Sequence, residues 1–124
     1  MRVKILIADD APDIRFLARA LLTVDGRVDI VGEAASATEA VEKASDLQPD
    51  VVILDQGFEG SLTGFEVAPR IKAAAPDIKI VLFTAYHGLK EDAESAPAID
   101  AFLLKTDAHQ LLAVITGLFA EKSS

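Results

Sequence analysis

Cysteine is absent from the 124 residues, which rules out a disulfide framework and any thiolate metal site. That absence suits a reducing cytoplasm, where the chain is expected to reside. Lysine and arginine nowhere form a run, and the formal net charge is -8. Nucleic-acid backbones are held by clustered cations that displace counterions, so no direct nucleic-acid partner is expected. No apolar stretch approaches the roughly 20 residues of a membrane span, and the opening MRVKILIADD runs at once into acids, so neither membrane association nor processing is expected. Glycine and proline are modest at seven and five residues while 51% of the chain is hydrophobic, which excludes fibrous and disordered classes. One globular domain over residues 1–120, with EKSS at 121–124 as a frayed tail, fits this size.

Short continuous apolar runs occur at Val3 to Ala8, Val28 to Gly32, Val51 to Leu54, Ile78 to Phe83 and Ala101 to Leu104. Strands covered on both faces read this way, unbroken rather than alternating. Helix-period segments lie between them. Ile14, Leu17, Ala18, Leu21 and Leu22 form an apolar face after Pro12 in a first turn. Ser36 with Glu39 predicts a capping box for a second helix that Pro49 stops, and Asp107 with Gln110 predicts the same device for a last helix. A third helix is expected from about Gly64 to Ala75, where Pro69 either kinks it or delays its regular part, and a short fourth from Glu91 to Ala96 before Pro97. Five strands alternating with five helices predict an α/β, doubly wound five-stranded parallel sheet.

In such a sheet the functional crevice lies beyond the carboxyl ends of the strands. The first run ends at Asp9 and Asp10, the third at Asp55, the fourth at Thr84 and the fifth at Lys105. Three carboxylates brought that close repel one another and call for a cation. Oxygen ligands without His or Cys favour a hard ion that keeps some waters, Mg²⁺ above all. The first turn reads ADDAPD, with neither GxGxxG nor a P-loop, so it suits cations and repels bare phosphates. A carboxylate beside Mg²⁺ and a Lys can attack a phosphoryl group and form an aspartyl phosphate, with Thr84 donating to a phosphoryl oxygen.

Taken together, LIADDAPD, PDVVILD, the Thr of VLFTA and the Lys of FLLKTD resemble the receiver (response-regulator) domain of two-component signalling over essentially the whole chain. The resemblance implies a flavodoxin-like strand order 2-1-3-4-5. It implies that Asp55 accepts a phosphoryl group from a sensor histidine kinase or a histidine phosphotransfer protein. Mg²⁺ would be held by Asp10 directly, Asp9 largely through water, Asp55, and the Gly57 carbonyl. Thr84 would shift toward the phosphoryl group, Lys105 would pair with it, and Phe102 would turn inward as Thr84 moves. The fourth helix, fifth strand and fifth helix would present the face read by a downstream protein target, by an output domain, or by a second copy in a homodimer.

The chain departs from the family pattern at QGFEGSLTG. The usual Met-Pro is replaced by Phe58 and Glu59, and Gly64 stands nine positions after Asp55 rather than eight. A looser loop and an altered phosphoryl lifetime are expected. Thr106 follows Lys105 where many relatives have Pro, and Pro97 trims the fourth helix. His87 and His109 read as solvent-facing, and Asp13 as an ordinary acid at a helix start. Tyr86 either flanks the phosphoryl group with Gly57 and controls water access or is a plain surface aromatic, while the small Ala85 leaves a donor room to approach. Rival functions are the receiver portion of a DNA-binding regulator, to which RVDIVGEAASATEAVEKA is similar, a Mg²⁺-dependent phosphohydrolase using Asp55, and a flavin-binding domain. Hydrolases of that kind place a second acid two residues after the nucleophile, where this chain has Gly57, and a flavin domain would need a phosphate-cradling first turn. As a receiver the chain is expected to act only on its own phosphoryl group, through self-phosphotransfer and autodephosphorylation.

Overall fold

The computed structural model describes residues 2–58 and 62–119. Its strands are β1 (Val3–Ala8), β2 (Val28–Ala34), β3 (Val51–Leu54), β4 (Lys79–Thr84) and β5 (Ala101–Leu104). Its helices are α1 (Pro12–Leu22), α2 (Ala37–Leu47), α3 (Gly64–Ala74), α4 (Lys90–Ser95) and α5 (Leu111–Phe119). Every neighbouring strand pair is parallel and the order is β2-β1-β3-β4-β5, as expected.

The unbroken apolar runs are explained by burial on both sheet faces. Leu6, Ala8, Val52, Leu54 and Ile80 meet α2 and α3 through Ala37, Ala40, Ala44, Val67, Ala68 and Ile71. On the other face Ile5, Ile7, Ile53, Val81 and Phe83 meet α1 and α5 through Ala18, Leu22, Leu111 and Ile115. Each fully buried Val, Ile or Leu contributes about 1.5–3 kcal/mol, so the central strand β3, with all four residues buried, is the most firmly held place from which to project a side chain. Among the described residues no helix is long and apolar enough to cross a membrane.

Several local expectations are corrected. Leu17 does not join the buried face of α1 and is 38% exposed, because Ile14, Ala18 and Leu22 fill the sheet-facing side. Ser36 caps α2 by accepting from the Glu39 amide at 3.1 Å, but the Glu39 carboxylate reaches past it to the Ala35 amide at 2.6 Å. The reciprocal capping box forms instead at α3, between Thr63 and Glu66. That start lets α3 run through Pro69, which forgoes one backbone bond on the exposed side of a well-capped helix. Asp107 caps nothing as a helix-preceding residue: Lys105–Gln110 wind as a 3₁₀ turn with Asp107 inside it at φ -106°, ψ 26°. The fourth strand is Lys79–Thr84 rather than Ile78 to Phe83, and a 3₁₀ turn at His87–Leu89 precedes α4. The Lys105–Thr106 peptide is trans, as are all described peptides.

The second strand runs two residues further than its apolar run suggests and contains a bulge. Ile5 pairs with Ile30 but Leu6 pairs with Gly32, so Val31 is extra. Past the bulge the strand's faces exchange: Glu33 lies beside Ile7 on the α1 side and Ala34 beside Ala8 on the α2 side.

Candidate functional site

The carboxyl ends of β1, β3, β4 and β5 converge. Asp9 follows β1, with its amide donating to Ala34 O at 3.0 Å, and is 2% exposed. Its Oδ1 accepts from the Ala11 amide at 2.9 Å, a turn that aims the side chain inward. Asp55 follows β3, donates its amide to Ala8 O at 3.0 Å and is 6% exposed. One carboxylate oxygen each from Asp9, Asp10 and Asp55 lie within 4.8 Å of one another. Oxygens grouped this closely could serve together as ligands of one small hard cation.

Lys105, at the end of β5, places Nζ 2.8 Å from Asp9 Oδ2 and 3.2 Å from Asp55 Oδ1. The contact with Asp55 is a hydrogen bond, whereas Asp9 Oδ2 is an ion-pair neighbour of Lys105 and otherwise a buried oxygen with no hydrogen-bond donor. Burial pushes the Asp9 carboxyl above its ordinary range, and Lys105 and the Ala11 amide only partly offset this. For Lys105 burial works toward a lower value, but Asp9 and Asp55 outweigh it and hold the ammonium above its usual range. A buried Asp9 Oδ2 with no hydrogen bond, in a set of three carboxylates that are all oxygen ligands, fits a hard divalent cation.

Thr84 ends β4 fully buried, its hydroxyl oxygen accepting from the Tyr86 amide at 3.2 Å. Phe102, paired with Leu82 across β4 and β5, is half-buried and borders a cavity of about 270 Å³ together with Ala93, Glu94 and Ile99. Gly57 is exposed, and a Cβ there would lie 3.5 Å from both Cε2 and Oη of Tyr86. Tyr86 thus flanks one side of Gly57 while remaining 58% exposed, and the two border an open cleft of about 520 Å³ with Gln56, Thr63, His87 and Leu89. His87, His109 and Asp13 are exposed, outside the converging set.

The loop after Asp55 is better anchored at its ends than its glycines suggest. Phe58 is 5% exposed and joins the core between the sheet and α2 and α3. Gln56 accepts from the Gly64 amide through its backbone at 2.9 Å and from the Phe65 amide through Oε1 at 3.1 Å, which ties the start of α3 to the residue after Asp55. Glu59, Gly60 and Ser61, where the extra residue was noted, lie outside the described residues. Residues that sequence reasoning missed are Gln56, visible only as a polar side chain before a glycine, and Arg15, whose Nη1 donates to Asp9 O at 2.6 Å.

Comparisons with known proteins identify the family and the fold. The model of the response regulator receiver domain matches residues 5–116. Response regulator protein VraR of Staphylococcus aureus is 34% identical over 107 residues, covering 86% of this chain and 51% of that protein. The chain therefore spans about half the length of the curated relatives it matches. A two-component response regulator of the LuxR family from Aurantimonas superposes with a TM-score of 0.87 at 26% identity, covering 98% of this chain and 87% of that one. A DNA-binding response regulator of the LuxR family from Staphylococcus aureus gives 0.81 at 26% identity, with 93% and 97% covered. With nearly the whole sheet inside the matched region and the acids of the first and third strands at its open end, the chain belongs to the response-regulator receiver-domain family.

Proposed function

We propose that Asp55 is the phosphoacceptor of this receiver and that Asp9, Asp10, Asp55 and the Gly57 carbonyl hold Mg²⁺. The observation that carries the reading is the charge balance at the strand ends. Three carboxylates face one ammonium, an excess of two negative charges that a divalent ion cancels. When bound, the ion would shield the negative charge shared by acceptor and phosphoryl group.

In the transfer, an oxygen of Asp55 attacks phosphorus as the phosphorus–nitrogen bond of a phosphohistidine donor breaks, and the donor imidazole leaves with the bond's electron pair and takes up a proton. Lys105 neutralises a phosphoryl oxygen, and Thr84 moves its hydroxyl from the Tyr86 amide to donate to another. The donor is a sensor histidine kinase or histidine phosphotransfer protein, reaching Asp55 through the open cleft beside Gly57. Water attack on the aspartyl phosphate later returns the free carboxylate and inorganic phosphate.

Phe102, half-buried beside the cavity at α4, is the aromatic that follows Thr84 inward and so alters the face made by α4, β5 and α5. That face is the one offered to a target, an output domain or a second copy. A DNA-binding output is favoured by the likeness to a DNA-binding LuxR-family regulator and by relatives about twice as long as this chain. A phosphohydrolase is disfavoured because Gly57 supplies no general acid.

Acetyl phosphate with Mg²⁺ is expected to add one phosphoryl mass to the intact chain, with none added when Mg²⁺ is chelated. Undiminished labelling of Asp55→Asn would refute the assignment.

A further inference from the structure

The β1–α1 turn that carries Asp9 and Asp10 is held by a side-chain strut that the proposed chemistry does not use. Arg15 sits one turn into α1 with its side chain only 18% exposed. Its Nη1 donates to the carbonyl of Asp9 at 2.6 Å while its Nε donates to Glu33 Oε1 at 3.2 Å. The other Glu33 oxygen takes Arg19, whose Nη2 lies at 2.7 Å and Nε at 2.8 Å, and Lys43 of α2 donates to the Glu33 carbonyl. Glu33 can do this only because of the bulge at Val31. Without the extra residue, Glu33 would pair with Ala8 and face α2, on the wrong side of the sheet for Arg15.

We propose that Arg15, oriented by Glu33, is a positioning residue for the metal pocket. The inference deepens the Mg²⁺ reading above and rests on it. The carbonyl of Asp9 belongs to the same peptide plane as the amide of Asp10. A guanidinium that fixes this carbonyl therefore fixes the direction in which both acid side chains leave the backbone. The bond is charge-assisted and partly buried, so water replaces it poorly. A planar fork suits the task because two different nitrogens meet two acceptors on separate elements, whereas a lysine ammonium offers a single nitrogen. The Asp9 amide and Oδ1 are already held, by Ala34 and Ala11. The Arg15 bond is what restrains the remaining polar atom of that backbone unit.

The test is Mg²⁺ titration by calorimetry on the unsubstituted chain and on Arg15→Met, Arg15→Lys, Glu33→Gln and Arg19→Met, with the melting temperature of each recorded without metal. Arg15→Met keeps an apolar stem and is expected to weaken Mg²⁺ binding roughly tenfold to a hundredfold, the usual cost of losing a group that orients a ligand. Arg15→Lys should recover part of the loss, and Glu33→Gln should lie between the two Arg15 variants. Arg19→Met removes a partner of the same Glu33 without touching Asp9, so it should bind Mg²⁺ as the parent does even if it melts lower. Parental affinity in Arg15→Met overturns the inference alone, as does an equal loss in Arg19→Met. Absence of Mg²⁺ binding by the unsubstituted chain overturns the metal reading, and the inference with it.

Discussion

Replacing Gly64 by alanine should destabilise the protein although alanine is the better helix former. Gly64 opens α3, and a Cβ built there meets the Asp55 carbonyl oxygen at 2.6 Å, Leu82 Cδ1 at 2.9 Å and Gln56 Cα at 3.0 Å. Two of those atoms are backbone at and beside the proposed acceptor, and they cannot swing aside. Overpacking of this kind costs about 1–3 kcal/mol, against a helix-propensity gain of no more than about 1 kcal/mol. Set against the full propensity gain, the net loss is up to about 2 kcal/mol, or up to roughly 10 °C in melting temperature for a domain of this size. Gly117 in α5 is the control, because a Cβ there meets nothing within 4 Å. Gly117→Ala should raise stability by about 0.5–1 kcal/mol. Thermal melts of both variants, with the rate of labelling by acetyl phosphate, provide the assay. Gly64→Ala should also label more slowly, since relief of the clash moves the Asp55 backbone. A Gly64→Ala protein that melts at or above the parent and labels at the parental rate would refute the steric argument.

Three further outcomes are expected. Mg²⁺ at tenfold excess over its dissociation constant should stabilise the chain by about 1.4 kcal/mol, and Asp10→Asn should remove most of that rise in a melt. Asp9 and Asp25 should respond oppositely to pH: Asp9, raised by burial, lowers metal-free stability as pH climbs from 3.8 through its folded value. Asp25, lowered to about 2 chiefly by the Arg27 hydrogen bond, contributes stability above 3.8 that is lost as pH falls through about 2; carboxyl titration by NMR would separate them, and identical midpoints would contradict the assignment. Tyr86→Ala should open the side of Gly57 that the ring flanks and shorten the life of the phosphoryl group, read as faster decay of labelled protein; an unchanged decay rate would make Tyr86 a plain surface aromatic.

The parallel sheet and the acidic pocket were legible for one reason. A strand buried on both faces must be continuously apolar, so the first polar residue after each run marks the open end of the sheet, and Asp9, Asp55 and Lys105 stand there. Thr84 was legible in the same way, though it closes its strand rather than following it. Features that depend on one residue of register were not legible. The run VDIVGEA carries no mark that Val31 is extra, so nothing assigned Glu33 to the α1 side or linked it with Arg15. Phe58 looked like a departure in a glycine-rich loop, yet the space beneath α2 and α3 takes it as core. The Asp107 and Gln110 spacing imitates a cap, but a 3₁₀ turn uses those residues before α5 begins. Thr63 and Glu66 had the same spacing and form the real box.

The most direct test of the central claim is to locate the modification. After treatment with acetyl phosphate and Mg²⁺, reduction with borohydride converts an aspartyl phosphate to homoserine, which peptide mass spectrometry assigns to a position. Homoserine at residue 55 alone, and none when Mg²⁺ is chelated, is the expected result. Homoserine at residue 9 or 10, or label retained on a histidine, would contradict the account.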